Sequence, residues 1–295
     1  MIQPILGFFI AAAALLAPQQ PASVSSSKDA RTQEIYVSVL DSKYAPITGL
    51  TAVELTVKED GVSREVLKAG PATAPMQIVV IVDDSQAATQ AIQPMREALT
   101  AFVEALQGKA EIGLVTVGER PESLVASTTD AAALKKGIGR IFARPGSGAY
   151  LLDGLVDVSK GLERRKATRP VIVAISMEGV EYSNLQYQTV LEQLEASGAT
   201  LHVLAVGSPV TSLADEMRNL GMAIAEGTKR TGGRRDQLLA VSSIPDAMKR
   251  LGAELLNQYV VTYSRPEALI PPERVQVSVN RPGATVRARN RAADK

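Results

Sequence analysis

Cysteine is absent from the 295 residues. That excludes disulfides, thiol nucleophiles, thiolate metal sites and a lipid anchor on an N-terminal cysteine. Histidine occurs once, at His202, inside the apolar stretch 201–206; an interior strand position suits a packed core residue, and no second imidazole exists to build a triad. An excess of one charge is also missing: Lys+Arg 32 against Asp+Glu 31 leaves a net charge of +1. A nucleic-acid partner needs a concentrated basic surface and is therefore not expected. The short clusters Arg164-Arg165-Lys166 and Arg287-Ala288-Arg289 read as solvated faces of a helix and a strand. Gly146-Ser147-Gly148 is not followed by the Gly-Lys-Ser/Thr of a phosphate cradle, so no nucleotide is expected. No internal repeat is evident. An apolar run long enough to cross a bilayer as a helix, about 20 residues, is missing too.

What is present is a globular composition, 45% hydrophobic and 21% charged, sufficient for a sizeable core. The unbroken apolar run 5–17 has the length of a signal-peptide core, although no Lys or Arg precedes it. Residues 1–22 are read as a signal peptide, with cleavage after Ala22 preferred because Pro18 disfavours cleavage after Ala17. The protein is then secreted or periplasmic, with no transmembrane helix in the mature chain; an uncleaved membrane-anchoring tail is the alternative. Residues 18–34 are rich in Pro, Gln, Ser and Ala, and 23–34, beyond the cleavage point, read as a linker.

Residues 35–72 are β-rich. Ile35, Val37 and Val39 alternate with Tyr36 and Ser38, Leu55 and Val57 continue on a second strand, and Asp60-Gly61 turns into a strand over 62–69. Pro71 and Pro75 mark a boundary. From residue 76 the pattern changes to short β-branched runs at 78–82, 112–117, 171–175 and 201–206, with an edge strand at 124–127. Helical stripes lie between them, after Pro94, from the cap Asp130 to Phe142, over 151–162 and over 185–196. A strand near 237–240 and a helix over 245–256 follow. This alternation predicts an α/β domain over 76–256, with a mostly parallel central sheet flanked by helices. Residues 257–295 return to alternating strands, at 259–263 and 275–279, and are expected to pair with 35–72 as a small accessory region.

The informative loop is Asp83-Asp84-Ser85-Gln86-Ala87, directly after the first core strand. Ligands of open α/β sheets bind beyond the carboxyl ends of strands, and oxygens at alternate loop positions there converge on a hard cation. At this point the chain resembles the von Willebrand factor A family, whose metal-ion-dependent adhesion site begins Asp-x-Ser-x-Ser, takes a Thr from a later loop and an Asp after the fourth strand. Asp83 and Ser85 match, but Ala87 replaces the second Ser. The Leu151-Leu152-Asp153-Gly154 junction places Ala149 where the Thr belongs, and Ser147 substitutes only if the loop shifts by two residues. Ser176-Met177-Glu178-Gly179 stands where the family has Thr-Asp-Gly, so Glu178 is the candidate third ligand. The resemblance covers 76–207 and implies a Rossmann-like domain. It extends to a bacterial secreted relative group through Glu59-Asp60-Gly61, Thr231-Gly232-Gly233 and Val286-Arg287-Ala288-Arg289.

The resemblance implies a non-catalytic module that binds an unidentified protein partner through loops at the carboxyl edge of the sheet. Its adhesion site is degenerate: with two hydroxyls replaced by methyls, no cofactor is expected, and Mg or Mn binds weakly if at all. Asp83 and Ser85 then bond backbone N–H groups in their own loop. Asp84, Gln86, Ser147, Tyr150 and Glu181 are the candidate partner-binding residues. The alternatives are a weak Mg/Mn-dependent adhesion domain, a structural cell-envelope scaffold and, least supported, a hydrolase. Ser85 lacks the flanking glycines of a nucleophile elbow, and the carboxylate pairs Asp83/Asp84 and Glu178/Glu181 lie too close in sequence to face each other.

Overall fold

A computed structural model describes residues 30–208, 214–266 and 272–291. The apolar run 5–17 and the cleavage point after Ala22 lie outside the described residues. The described residues begin with four strands, β1 (Ala30–Leu40), β2 (Leu55–Glu59), β3 (Val62–Arg64) and β4 (Val66–Pro71). The α/β region follows as β5 (Met76–Val82), α1 (Ile92–Ala105), β6 (Ala110–Thr116), β7 (Glu122–Thr128), α2 (Ala131–Ile138), α3 (Leu151–Arg164), β8 (Pro170–Met177), α4 (Tyr187–Ser197), β9 (Thr200–Val206), α5 (Asp215–Thr231), β10 (Arg235–Leu238) and α6 (Ile244–Leu256). The last three strands among the described residues are β11 (Tyr259–Pro266), β12 (Val275–Val279) and β13 (Thr285–Ala288).

The central sheet has the order β10-β9-β8-β5-β6-β7, parallel except for the edge strand β7. Its four inner strands, β9, β8, β5 and β6, are buried on both faces, which is why they read as continuous apolar, largely β-branched runs. Ile78, Val80 and Val82 of β5 point to the layer of α1, α2 and α6, packing with Met95, Leu99, Leu134 and Met248. Val79 and Ile81 point to the opposite layer, with Leu155, Val190 and Ile224 of α3, α4 and α5. Because β8 pairs with the other side of β5 from β6, the strand order reverses beside β5, and the crevice beyond Val82 and Met177 is the switch point.

The two ends of the chain interleave. β1 pairs antiparallel with both β11 and β13, and β2 with β12, giving sheets of order β13-β1-β11-β4 and β12-β2-β3 around Val37, Leu55, Val57, Val261 and Val275. Arg169, just before β8, joins this β region to the α/β layers. Its guanidinium donates to the carbonyls of Ala72 (3.3 Å), Ala74 (3.1 Å) and Leu255 (2.8 Å) and to Gln258 Oε1 (2.8 Å), and stacks on Tyr36. A second tie is the fully buried Glu254 of α6, held by Arg234 (3.1 Å) and Arg287 (3.0 Å). Gly233 has no room for a side chain, since a Cβ there would lie 1.8 Å from the Leu201 carbonyl oxygen.

Several sequence expectations shift. Strand β1 starts at Ala30, inside the stretch 23–34 read as linker, because residues 30–34 pair with β11. The expected strand 62–69 divides at Glu65 between the two sheets. Pro71 does not end β4 early, because β4 is an edge strand and a missing donor on its open side costs no ladder bond. The helix capped by Asp130, which accepts from Ala132 and Ala133, ends at Ile138 rather than Phe142. Helix α5 was not expected at all. Arg287 and Arg289 do not form a solvated face: Arg287 pairs with Glu254, and Arg289 donates to the Glu195 carbonyl.

Candidate functional site

Four connections meet beyond the carboxyl ends of the strands, and their polar residues are mostly turned inward. Asp83 is 1% exposed. Its Oδ1 accepts the Ser85 amide at 2.9 Å and its Oδ2 the Met177 amide at 3.0 Å. Burial pushes this carboxyl above the ordinary value, against the hydrogen bonds from Ser85 and Met177 that favour the anion. Ser85 is buried beside it. Asp84, also buried, accepts the Gly118 amide at 2.6 Å and Arg144 Nε at 2.9 Å. A Cβ at residue 118 would sit 2.6 Å from Asp84 Oδ1, so the approach requires glycine.

The segment before α3 is fixed by the same means. Gln86 Oε1 accepts the Gly146 amide (2.8 Å), and Ser147 Oγ donates to the Arg144 carbonyl (2.8 Å). The Ala149 amide donates to Val180 O and the Tyr182 amide to Ala149 O, each at 2.8 Å. Glu181 is 3% exposed and lies at the start of α3, accepting the amides of Leu151 (3.2 Å), Leu152 (3.4 Å) and Ser183 (3.2 Å). The Leu151 and Leu152 amides are orphan donors of the helix, whose own N-cap Tyr150 supplies no side-chain bond. Burial raises the Glu181 carboxyl to about 6, with the Ser183, Leu151 and Leu152 hydrogen bonds opposing the shift.

Asp83 and Ser85 are thus together, whereas Glu178 is not joined to them. The Glu178 carboxylate accepts from Gln237 Nε2 at 3.2 Å and lies 3.9 Å from Arg235, both on β10. Ala87 is exposed, and Ala149 is 6% exposed. Among the described residues, no group of three or more His, Cys, Asp or Glu side chains stands where it could hold a metal ion. His202 is fully buried, neither ring nitrogen has a hydrogen-bond partner, and burial pulls its pKa down to about 4.

Beside the exposed polar residues Gln86, Glu119, Arg120 and Glu122, two large apolar side chains face solvent here. Val180 is 58% exposed and Tyr182 51%. The Tyr182 ring tilts toward Tyr150 at a centroid distance of 5.9 Å. Ala87 reaches Gly179, where a Cβ would come within 2.8 Å of its methyl, and Gly148 closes on Tyr182 and Val180, so these residues form one continuous strip. Beside it is an open cavity of about 560 Å³ lined by Arg120, Glu122, Arg144, Ser147, Tyr150 and Tyr182. Sequence reasoning named Tyr150 and Ser147 but missed Val180, Tyr182 and Arg144, which no periodicity or motif marks. Arg144 pairs with Asp84, Glu119 and Glu122, and its hydrogen bonds to Asp84 and Glu122 raise it above the ordinary arginine value. Among the described residues no helix is long and apolar enough to cross a membrane.

The fold is shared with proteins of low sequence identity. A "von Willebrand factor type A" protein from Catenulispora acidiphila superposes with a TM-score of 0.50 at 12% identity, over 88% of this chain and 73% of that one. Proximal thread matrix protein 1 from the mussel byssus gives a TM-score of 0.50 at 13% identity, over 72% of this chain and 50% of that one. No curated protein matches the chain in sequence. Residues 78–179 match the family model of the von Willebrand factor type A domain, spanning Asp83, the segment before α3 and Glu178. The chain therefore contains a von Willebrand factor type A domain.

Proposed function

We propose that this protein is a non-catalytic, exported binding module that recognises a protein partner at the carboxyl edge of its sheet without a bridging metal ion. The observation that carries the reading is the continuous strip Ala87–Gly179–Val180–Tyr182–Tyr150 on loops pinned from behind by buried carboxylates. Only 4% of the residues are aromatic. Exposed apolar side chains also occur elsewhere, at Val53, Phe142 and Leu239, but Val180 and Tyr182 stand two residues apart beside a cavity with a polar lining, and apolar patches rimmed by polar groups mark contact sites. The length and apolarity of residues 5–17 support export to the periplasm or beyond.

The donor set does not fit a divalent cation. Mg²⁺ takes near-octahedral oxygen coordination. Here both Asp83 oxygens accept backbone amides, Glu178 is engaged by β10, and residues 87 and 149 offer methyl groups. Asp84 and Glu181 act from inside, as supports of the loops. Gln86, Ser147 and Tyr150 remain nearer the surface as contact residues.

Two measurements test the reading. Titration calorimetry of the full chain with Mg²⁺ and Mn²⁺ is expected to give no saturable heat; tight stoichiometric binding lost in Asp83→Ala would restore the ion-dependent alternative. Crosslinking in the cell-envelope fraction is expected to give one dominant adduct that survives EDTA and disappears in Val180→Asp and Tyr182→Ser. An adduct indifferent to both substitutions would remove this face from the reading.

A further inference from the structure

Arg144 lies between α2 and α3, and each of its three guanidinium nitrogens meets a different carboxylate. Nε donates to Asp84 at 2.9 Å, Nη1 to Glu119 at 3.1 Å and Nη2 to Glu122 at 2.8 Å. Its backbone amide also donates to the Asp84 carbonyl at 2.9 Å, and its carbonyl accepts Ser147 Oγ. One side chain therefore ties the connection after β5, the connection from β6 to β7 and the segment before α3. Asp84 is the inner anchor, with a side chain 3% exposed, whereas those of Glu119 and Glu122 are 65% and 55% exposed.

We propose that the Arg144 guanidinium is the resident cation of this edge, a positioning residue that holds three loops together by a fixed organic charge. The two outer pairs would each contribute little in solvent. The inner pair differs, because removing Arg144 leaves a buried carboxylate oxygen unpaired beside two further acids. A planar fork can serve three separated carboxylates at once, whereas an ammonium is a point charge that reaches one of them well. The cavity wall formed by Glu122, Arg144, Ser147 and Tyr150 then needs no divalent ion to stay in register. That consequence for recognition rests on the reading of an ion-free contact face; the clamp itself does not.

The test follows amide hydrogen exchange in the full chain at Gly118, whose N–H bonds Asp84 Oδ1, and at Tyr150, whose N–H bonds Val117 O. In Arg144→Ala, Gly118 exchange is expected to accelerate by about tenfold or more, the scale of one charge-assisted hydrogen bond, while amides inside β8 keep their protection. Guanidinium chloride at tens of millimolar is expected to slow Gly118 exchange again in Arg144→Ala and not in the wild type. Urea, flat and of similar size but neutral, is expected to give no such recovery. Arg144→Lys is expected to fall between wild type and Arg144→Ala. Unchanged Gly118 exchange in Arg144→Ala, equal recovery with urea, or wild-type protection in Arg144→Lys would each overturn the proposal. Mg²⁺ on the wild-type chain separates the two ideas: protection gained at the Ser85 and Met177 amides would sink the ion-free face and leave the clamp standing.

Discussion

Asp83 Oδ2 accepts the Met177 amide at 3.0 Å, binding the loop after β5 to the last residue of β8 across the switch point of the sheet. With Oδ1 on the Ser85 amide, the side chain works as a bracket between two connections. Asp83→Ala leaves two buried N–H groups without acceptors, at about 1–3 kcal/mol each. A loss of about 2–6 kcal/mol is expected in urea unfolding, at unchanged m-value. Asp83→Asn keeps one acceptor and removes a charge that burial already disfavours, so it should cost less than half as much. Equal stability of Asp83→Ala and wild type would show that the bracket carries no load.

Glu181 fixes the start of α3 from a neighbouring loop, and its proton equilibrium should be visible in stability. Its folded pKa of about 6 exceeds the ordinary 4.5, so between those values the folded state holds a proton that the unfolded chain has released. The contribution is full below about pH 4.5 and is lost as pH rises through 6, by about 2 kcal/mol. Glu181→Gln carries no such proton, and its unfolding free energy should lose this fall. Urea midpoints at intervals from pH 4.5 to 7 for both proteins check it; parallel curves would refute the assignment.

Most of the sheet was legible in the sequence, because strands buried on both faces are apolar at nearly every position, as the fully buried β8 is apart from Ser176. Helix α5 was not. Its buried face carries two large apolar side chains, Leu220 and Ile224, filled out by Ala223, Gly227, Thr228 and Thr231 in an otherwise polar helix, although Asp215-Glu216 at its start and Lys229-Arg230 before Gly232 suit a helix dipole and its stop. The location of Asp83 and Ser85 followed from a strand end plus a short motif. Arg144 could not be found that way, since its three partners lie 60, 25 and 22 residues distant and no local rule links them. Glu178 was placed with Asp83 by order along the chain alone. Its partners Arg235 and Gln237 sit on β10, whose register beside β9 the sequence does not announce.

Arg169 serves four acceptors and no carboxylate, so its charge is balanced by carbonyl dipoles and the Tyr36 ring. Burial lowers its pKa, opposed by Tyr36. Arg169→Met should fill much of the same volume while stranding the carbonyls of Ala72, Ala74 and Leu255. A loss of about 3 kcal/mol is expected, with new protease sensitivity between β4 and β5. Limited proteolysis with mass mapping reads this, and cleavage confined to other segments would show that the β region is held elsewhere.

His202 gives the opposite pH signature to Glu181. Buried in β9 without a partner for either nitrogen, it stays neutral down to about pH 4 in the folded protein, against an ordinary 6.5. Desolvation is the main cause; Glu254 favours the cation, while Arg234 and Arg287 oppose it. The unfolded chain therefore takes up a proton first as pH falls. Stability from this group is complete above about pH 6.5 and declines by about 3 kcal/mol on the way to pH 4. Between pH 4.5 and 6 the two groups offset each other, so the wild-type profile should be flatter than either variant's. His202→Leu removes two unsatisfied polar atoms at similar volume and should be neutral to mildly stabilising at pH 7. It should also be more stable than wild type by a margin that widens as pH falls toward 4. A margin constant across that window would mean that the ring exchanges protons freely in the folded state.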